Sequence, residues 1–95
     1  MSVVDNRLPG ADLVARGVED LEAGVLSEEA LVVTAAAPRL RAAGVEVPMA
    51  DVDAPLHRLY ELLAASEAAG AHSRYNALVG RMVSFARAAE RAAAG

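Results

Sequence analysis

The chain has 95 residues, of which 55% are apolar and 23% are charged, and its net charge is −4. This length suits a single domain, the apolar content excludes a disordered segment, and the absence of cysteine excludes disulfides, thiol catalysis and thiolate-bound metals. The longest uncharged stretch, residues 30–38, is too short to cross a membrane, and residues 1–7 lack the regions of a signal peptide. The sequence therefore predicts a cytoplasmic protein without membrane contact.

A helical hairpin is predicted over residues 11–43, after a loose lead-in over residues 1–8. Gly24 suits the left-handed position that ends a helix, and Ser27 suits the N-cap position that begins the next one. Gly17 lies inside the first helix, where glycine costs about 1 kcal/mol relative to alanine. We therefore expect another helix to approach closely at Gly17.

The second helix contains Pro38, which removes a backbone hydrogen bond and clashes with the carbonyl group of Thr34. The sequence therefore predicts that this helix is kinked or broken near the proline. Gly44 ends the helix and opens a connector over residues 44–52. A short strand in this connector would find no partner strand elsewhere in the chain.

Two further helices are predicted over residues 53–94, with Gly70 between them. Asp51 or Asp53 is expected to cap the third helix, and Pro55 is compatible with its first turn. In the fourth helix, apolar residues recur at spacings of three and four and form one continuous stripe. The stripe consists of Tyr75, Leu78, Met82, Phe85 and Ala89.

The predicted fold is a single all-α domain, a small bundle of four helices with the second kinked at Pro38. The apolar stripe of the fourth helix allows two interpretations. In the first, it is the core side of a monomeric bundle. In the second, dimerisation or another protein covers it, because a bundle this small has more apolar surface than it can bury. The predicted interface consists of Tyr60, Tyr75, Leu78, Met82 and Phe85.

Asp53, His57 and Glu61 suggest a divalent-metal site on the third helix as an alternative function. They are spaced four residues apart, which places carboxylate and imidazole ligands along one helical face. One helix supplies too few converging ligands, so further carboxylates or a second subunit would have to complete the site. A purely structural interpretation has Asp53 cap the helix and His57 pair with Glu61 at the surface.

The distribution of arginine suggests nucleic-acid binding as another alternative. Residues 1–71 contain twelve acidic residues and five arginines, whereas residues 72–95 contain four arginines and one acidic residue. Arg74 and Arg81 share one face of the fourth helix and are the candidate phosphate ligands. The other arginines of that helix lie around its circumference and the chain is acidic overall, so nucleic acid is a weaker candidate than protein.

No catalytic motif and no phosphate-binding loop are present in the sequence. We therefore expect a non-enzymatic interaction or assembly module that needs no cofactor. It is expected to form a homodimer, or to bind another protein, through its C-terminal amphipathic helix.

Overall fold

The computed structural model of the chain describes residues 5–95, so residues 1–4 of the predicted lead-in lie outside the described part. The described residues form four α-helices and no β-strand. The helices are α1 (Ala11–Glu22), α2 (Glu28–Ala42), α3 (Pro55–Ser66) and α4 (Ala71–Ala94), and one 3₁₀ turn (Ala68–Gly70) lies between α3 and α4. The predicted all-α class and the number of helices are confirmed.

The helices share one hydrophobic core, and both α2 and α4 contact each of the other three helices. The largest fully buried side chains come from all four helices, and they are Val14, Val32, Val33, Leu40, Leu59, Leu63 and Phe85. The connector between α2 and α3 adds Val45 and Val47 to the same core. Burial of these aliphatic and aromatic groups is the main favourable contribution to folding.

The junction between α1 and α2 is formed by local hydrogen bonds. Gly24 has a φ of 75°, and its N–H donates to the carbonyl oxygen of Leu21 at 3.1 Å, as in a Schellman motif. Ser27 then begins α2, because its hydroxyl oxygen accepts a hydrogen bond from the N–H of Ala30 at 3.1 Å. The roles predicted for Gly24 and Ser27 are confirmed.

Gly17 lies where α1 crosses α2. A Cβ atom at this position would lie 2.5 Å from Val33 Cγ2 and 2.6 Å from the carbonyl oxygen of Glu29. Both distances are about 1 Å shorter than ordinary contact between non-bonded heavy atoms. The two helices can approach this closely only because residue 17 has no side chain, which confirms the expected close approach.

Pro38 lies within α2 and does not end it. The helix runs without interruption from Glu28 to Ala42, so the prediction that it breaks near Pro38 is wrong, and the kink stays a prediction. Pro38 itself is exposed. The loss of one backbone hydrogen bond at an exposed position is tolerated because water can satisfy the carbonyl group that is left without a donor.

α3 begins at Pro55, which occupies the first turn as predicted. Its N-cap residue is Ala54, whose φ of 47° lies in the left-handed region, and no side chain caps the helix. The prediction that Asp51 or Asp53 caps α3 is therefore wrong. Because the chain turns at Ala54, Asp53 lies outside the helical periodicity of α3.

Candidate interaction surface

The apolar stripe of α4 is divided between the core and the surface of the folded chain. Leu78, Met82 and Phe85 are buried, and Phe85 is only 1% exposed. These three side chains pack within the monomer and are not accessible to a partner while the bundle is folded. Tyr75, at the beginning of the stripe, is half-buried and retains surface that a partner can contact. Of the predicted interface residues, Tyr60 and Tyr75 therefore remain at the surface.

Tyr60 of α3 and Tyr75 of α4 form an aromatic pair across the two helices. Their ring centroids are 5.4 Å apart and their planes meet at 68°, which is the edge-to-face arrangement that aromatic rings favour. Tyr60 is 39% exposed. The ring of His72 lies beside the pair, with its centroid 6.5 Å from that of Tyr60. The pair both holds α3 against α4 and leaves aromatic surface in contact with solvent.

Two half-buried aliphatic side chains extend this surface. Leu56 of α3 and Val79 of α4 both pack against the core and are partly exposed. The four residues Leu56, Tyr60, Tyr75 and Val79 are called the aromatic face below. It contains no charged side chain, so a partner that covers it would not have to desolvate an ion.

The arginines predicted to bind nucleic acid are paired with carboxylates of the same chain. Arg74 Nη2 lies 2.7 Å from Glu28 Oε1 of α2, and Arg81 Nη2 lies 2.8 Å from both carboxylate oxygens of Asp12 in α1. The hydrogen bond from Arg81 lowers the pKa of the Asp12 carboxyl. A phosphate group would therefore compete with a carboxylate for each of these guanidinium groups.

A third ion pair joins α2 to α4. Arg39 donates from Nε and Nη2 to the two carboxylate oxygens of Glu90 at 2.6 and 2.8 Å. These hydrogen bonds lower the pKa of Glu90 and raise the pKa of Arg39. Here α4 supplies the carboxylate, whereas in the pairs of Arg74 and Arg81 it supplies the cation, so ion pairs of both polarities join α4 to the rest of the bundle.

The structure does not bring the three predicted metal ligands together. His57 Nε2 lies 3.7 Å from Glu61 Oε1 on the exposed side of α3, which is the pairing expected of a surface ion pair. Asp53 precedes the left-handed turn at Ala54 and is not part of the helix. Across residues 5–95, no group of three histidine or carboxylate side chains is arranged to hold a metal ion.

In the part of the chain that the structure describes, four exposed large apolar side chains lie outside the predicted interface, and they are Val25, Leu26, Met49 and Leu62. Leu62 lies on α3 and is 39% exposed, and Met49 lies in the connector and is 85% exposed. Met49 borders an open groove between the connector and α2, whose lining includes Pro38 and Pro55. Composition offers no sign of this exposure, because the same residue types fill the core.

Within residues 5–95, no helix combines the length and the apolar character that a bilayer span requires. Comparison with protein-family models, with curated proteins and with solved structures finds no match for the chain. Its function is therefore inferred from the surface of the molecule itself.

Proposed function

We propose that this protein is a non-enzymatic interaction module that self-associates through the aromatic face of α3 and α4. The proposal retains the self-association predicted from the sequence, but it assigns the contact to Tyr60 and Tyr75 in place of the buried part of the α4 stripe. The cytoplasmic location predicted from the sequence belongs to the proposal and is tested by cell fractionation.

The observation that carries the proposal is the exposed Tyr60–Tyr75 pair. The chain has only three aromatic residues, and two of them lie on this face while Phe85 lies in the core. Tyrosine is enriched at protein interfaces because its ring buries a large apolar area and its hydroxyl group tolerates water. The two rings already contact each other, so binding of a partner would cost little additional side-chain conformational entropy.

A protein partner is favoured over nucleic acid by the charges around α4. The two arginines that share one face, Arg74 and Arg81, are neutralised by Glu28 and Asp12. Nucleic-acid affinity depends on cations that exchange their counterions for phosphate groups. Because Arg74 and Arg81 already have carboxylate partners, they would contribute little to the affinity for nucleic acid.

The substitution Tyr60→Glu tests the proposal by placing a charge at the centre of the aromatic face. Leu62→Glu is the matched control, because Leu62 belongs to the same helix and is equally exposed, at 39%. Two residues of a helix are separated by about 200° around its axis, so Leu62 lies away from Tyr60. We expect Tyr60→Glu to weaken self-association at least about tenfold, which corresponds to the loss of one strong interface residue.

The measurement is the mean molecular mass by light scattering over a series of protein concentrations, with far-UV circular dichroism to verify that each variant is folded. Leu62→Glu is expected to associate like the parent chain. A parent chain that remains monomeric up to about 1 mM, where even weak interfaces of this class associate, would refute the proposal. Equal effects of the two substitutions would refute the assignment to the aromatic face.

A further inference from the structure

One side of α4, next to the aromatic face, is not covered by any other described element. Its residues recur at i, i+4, i+7 and i+11 and therefore share one direction from the helix axis. They are Asn76, Gly80, Val83 and Arg87, of which only Val83 is half-buried and the others are exposed. His72, one turn before Asn76, lies beside Tyr60, so this side adjoins the outer surface of α3. The four residues are called the open side of α4 below.

Within residues 5–95, no close contact requires residue 80 to be a glycine. A Cβ atom added there would meet no described atom within 4 Å, in contrast to the close contact at Gly17. A glycine in the middle of a helix costs about 1 kcal/mol relative to alanine. Glycine is of use at an exposed helical position when another backbone approaches it closely.

The two ends of the surface formed by α3 and the open side of α4 carry opposite charges. Glu61 of α3 is 66% exposed, and among residues 5–95 only the imidazole of His57 lies within ion-pair distance of it, at 3.7 Å. Arg87 is exposed at the other end and forms no ion pair within the same range of residues, although its charge contributes to the lowered pKa of Glu90. Each of these two charges is thus available to a partner.

The distance between the two charges is set by the antiparallel packing of α3 and α4. Tyr60 contacts Tyr75 across the hairpin, so Glu61 lies level with Arg74 of α4, whose guanidinium group is paired with Glu28. From Arg74 to Arg87 is thirteen residues, or about 20 Å at 1.5 Å per residue, which is beyond the range of appreciable attraction in salt solution. The midpoint between position 74 and Arg87 falls at positions 80–81, which is where Gly80 lies.

We propose that two copies of the chain pair with their α4 helices antiparallel, crossing at Gly80, so that Glu61 of each copy meets Arg87 of the partner subunit. This inference rests on the self-association proposed above and extends the contact from the aromatic face to the adjoining open side of α4. A two-fold axis at Gly80 exchanges the acidic end of one copy with the basic end of the other, so both ion pairs form at once. A parallel arrangement would place the two Arg87 side chains together and would be repulsive.

Charge reversal tests the proposed pairing. Glu61→Arg places two arginines against each other at both contacts, and Arg87→Glu places two carboxylates against each other. We expect each single substitution to raise the dissociation constant of the dimer at least about tenfold, and the double variant Glu61→Arg with Arg87→Glu to restore it to within about threefold of the parent. The same two charges lie about 20 Å apart within one chain, so the restoration cannot arise inside a monomer.

Matched controls reverse charges away from the proposed contacts. Arg16→Glu changes the same residue type as Arg87→Glu, and Glu19→Arg makes the same change as Glu61→Arg, both at exposed positions of α1. Both are expected to leave the dissociation constant within about threefold of the parent. Sedimentation velocity over a concentration series at about 0.15 M salt, where the Debye length is about 8 Å, measures all six chains.

The outcomes separate this inference from the function on which it rests. A parent chain that is monomeric at every concentration refutes self-association itself and the pairing with it. A dimeric parent whose single variants are unaffected, or whose double variant fails to recover, overturns the antiparallel pairing and leaves the interaction module in place. Weaker dimers in both single variants, recovery in the double variant and unaffected controls together establish the antiparallel pairing.

Discussion

Replacing Gly17 with alanine is expected to destabilise the chain, although alanine favours helices. Helix propensity alone would stabilise the variant by about 1 kcal/mol. The added Cβ atom, however, would lie 2.5 Å from Val33 Cγ2 and 2.6 Å from the carbonyl oxygen of Glu29. Val33 is completely buried and the carbonyl group belongs to the backbone of α2, so neither can move without shifting the helix. Overpacking of this kind costs about 1–3 kcal/mol, and the immobile neighbours favour the upper end of that range.

The net expectation for Gly17→Ala is a loss of about 1–2 kcal/mol in the free energy of unfolding. Gly80→Ala is the matched control, because Gly80 also lies inside a helix but has open space beside it. There the same substitution should stabilise the monomer by about 1 kcal/mol. The two variants should therefore differ by about 2–3 kcal/mol, a large fraction of the 5–15 kcal/mol that is usual for a whole domain.

Urea denaturation followed by far-UV circular dichroism measures both variants against the parent chain. Protein concentrations should be low enough that light scattering finds only monomers, because dimerisation would add to the apparent stability. The prediction is refuted if the Gly17→Ala variant is as stable as the parent, or if its free energy of unfolding rises as much as that of Gly80→Ala. Either result would show that α1 and α2 are not in close contact at Gly17.

Two further predictions concern the core and the ion pairs. Phe85→Ala removes a ring that is 1% exposed and should cost about 3–5 kcal/mol in urea denaturation, whereas a loss below about 1 kcal/mol would show that the ring is not in the core. Arg81 lowers the pKa of Asp12, so the folded state binds fewer protons than the unfolded state in acid. The stability from this pair is present above the unfolded pKa of the carboxyl and is lost as pH falls through its folded pKa. As the pH falls below the unfolded pKa of this carboxyl, the Asp12→Asn variant should therefore lose less stability than the parent. An identical acid profile of the two chains would contradict the pairing.

Local features of the fold were predictable because the interactions that produce them span only a few residues. The cap at Ser27 uses an N–H three residues away, and the turn at Gly24 uses a carbonyl oxygen three residues before it. The prediction that Asp53 caps α3 was wrong because of an equally local feature. A left-handed residue at Ala54, a conformation that alanine rarely adopts, moved the start of α3 past it.

The candidate site was predictable only in part. The spacing of apolar residues placed Tyr75 on one apolar face of α4, and Tyr60 was included in the predicted interface from the third helix. The sequence left open whether Leu78, Met82 and Phe85 are covered by the chain itself, and the structure shows that they are, while the two tyrosines remain at the surface. Periodicity defines a face of a helix but carries no information about what packs against it.

The sequence by itself determined the helical class, the order of the four helices and most of their ends, because propensity, capping and periodicity act within a few neighbouring residues. Only the tertiary structure decided how the charges are used. Arg74 and Arg81 were candidates for a phosphate partner until the fold brought them to Glu28 and Asp12, which are 46 and 69 residues away along the chain. Contacts over such separations depend on how complete helices pack, so no local pattern in the sequence contains them.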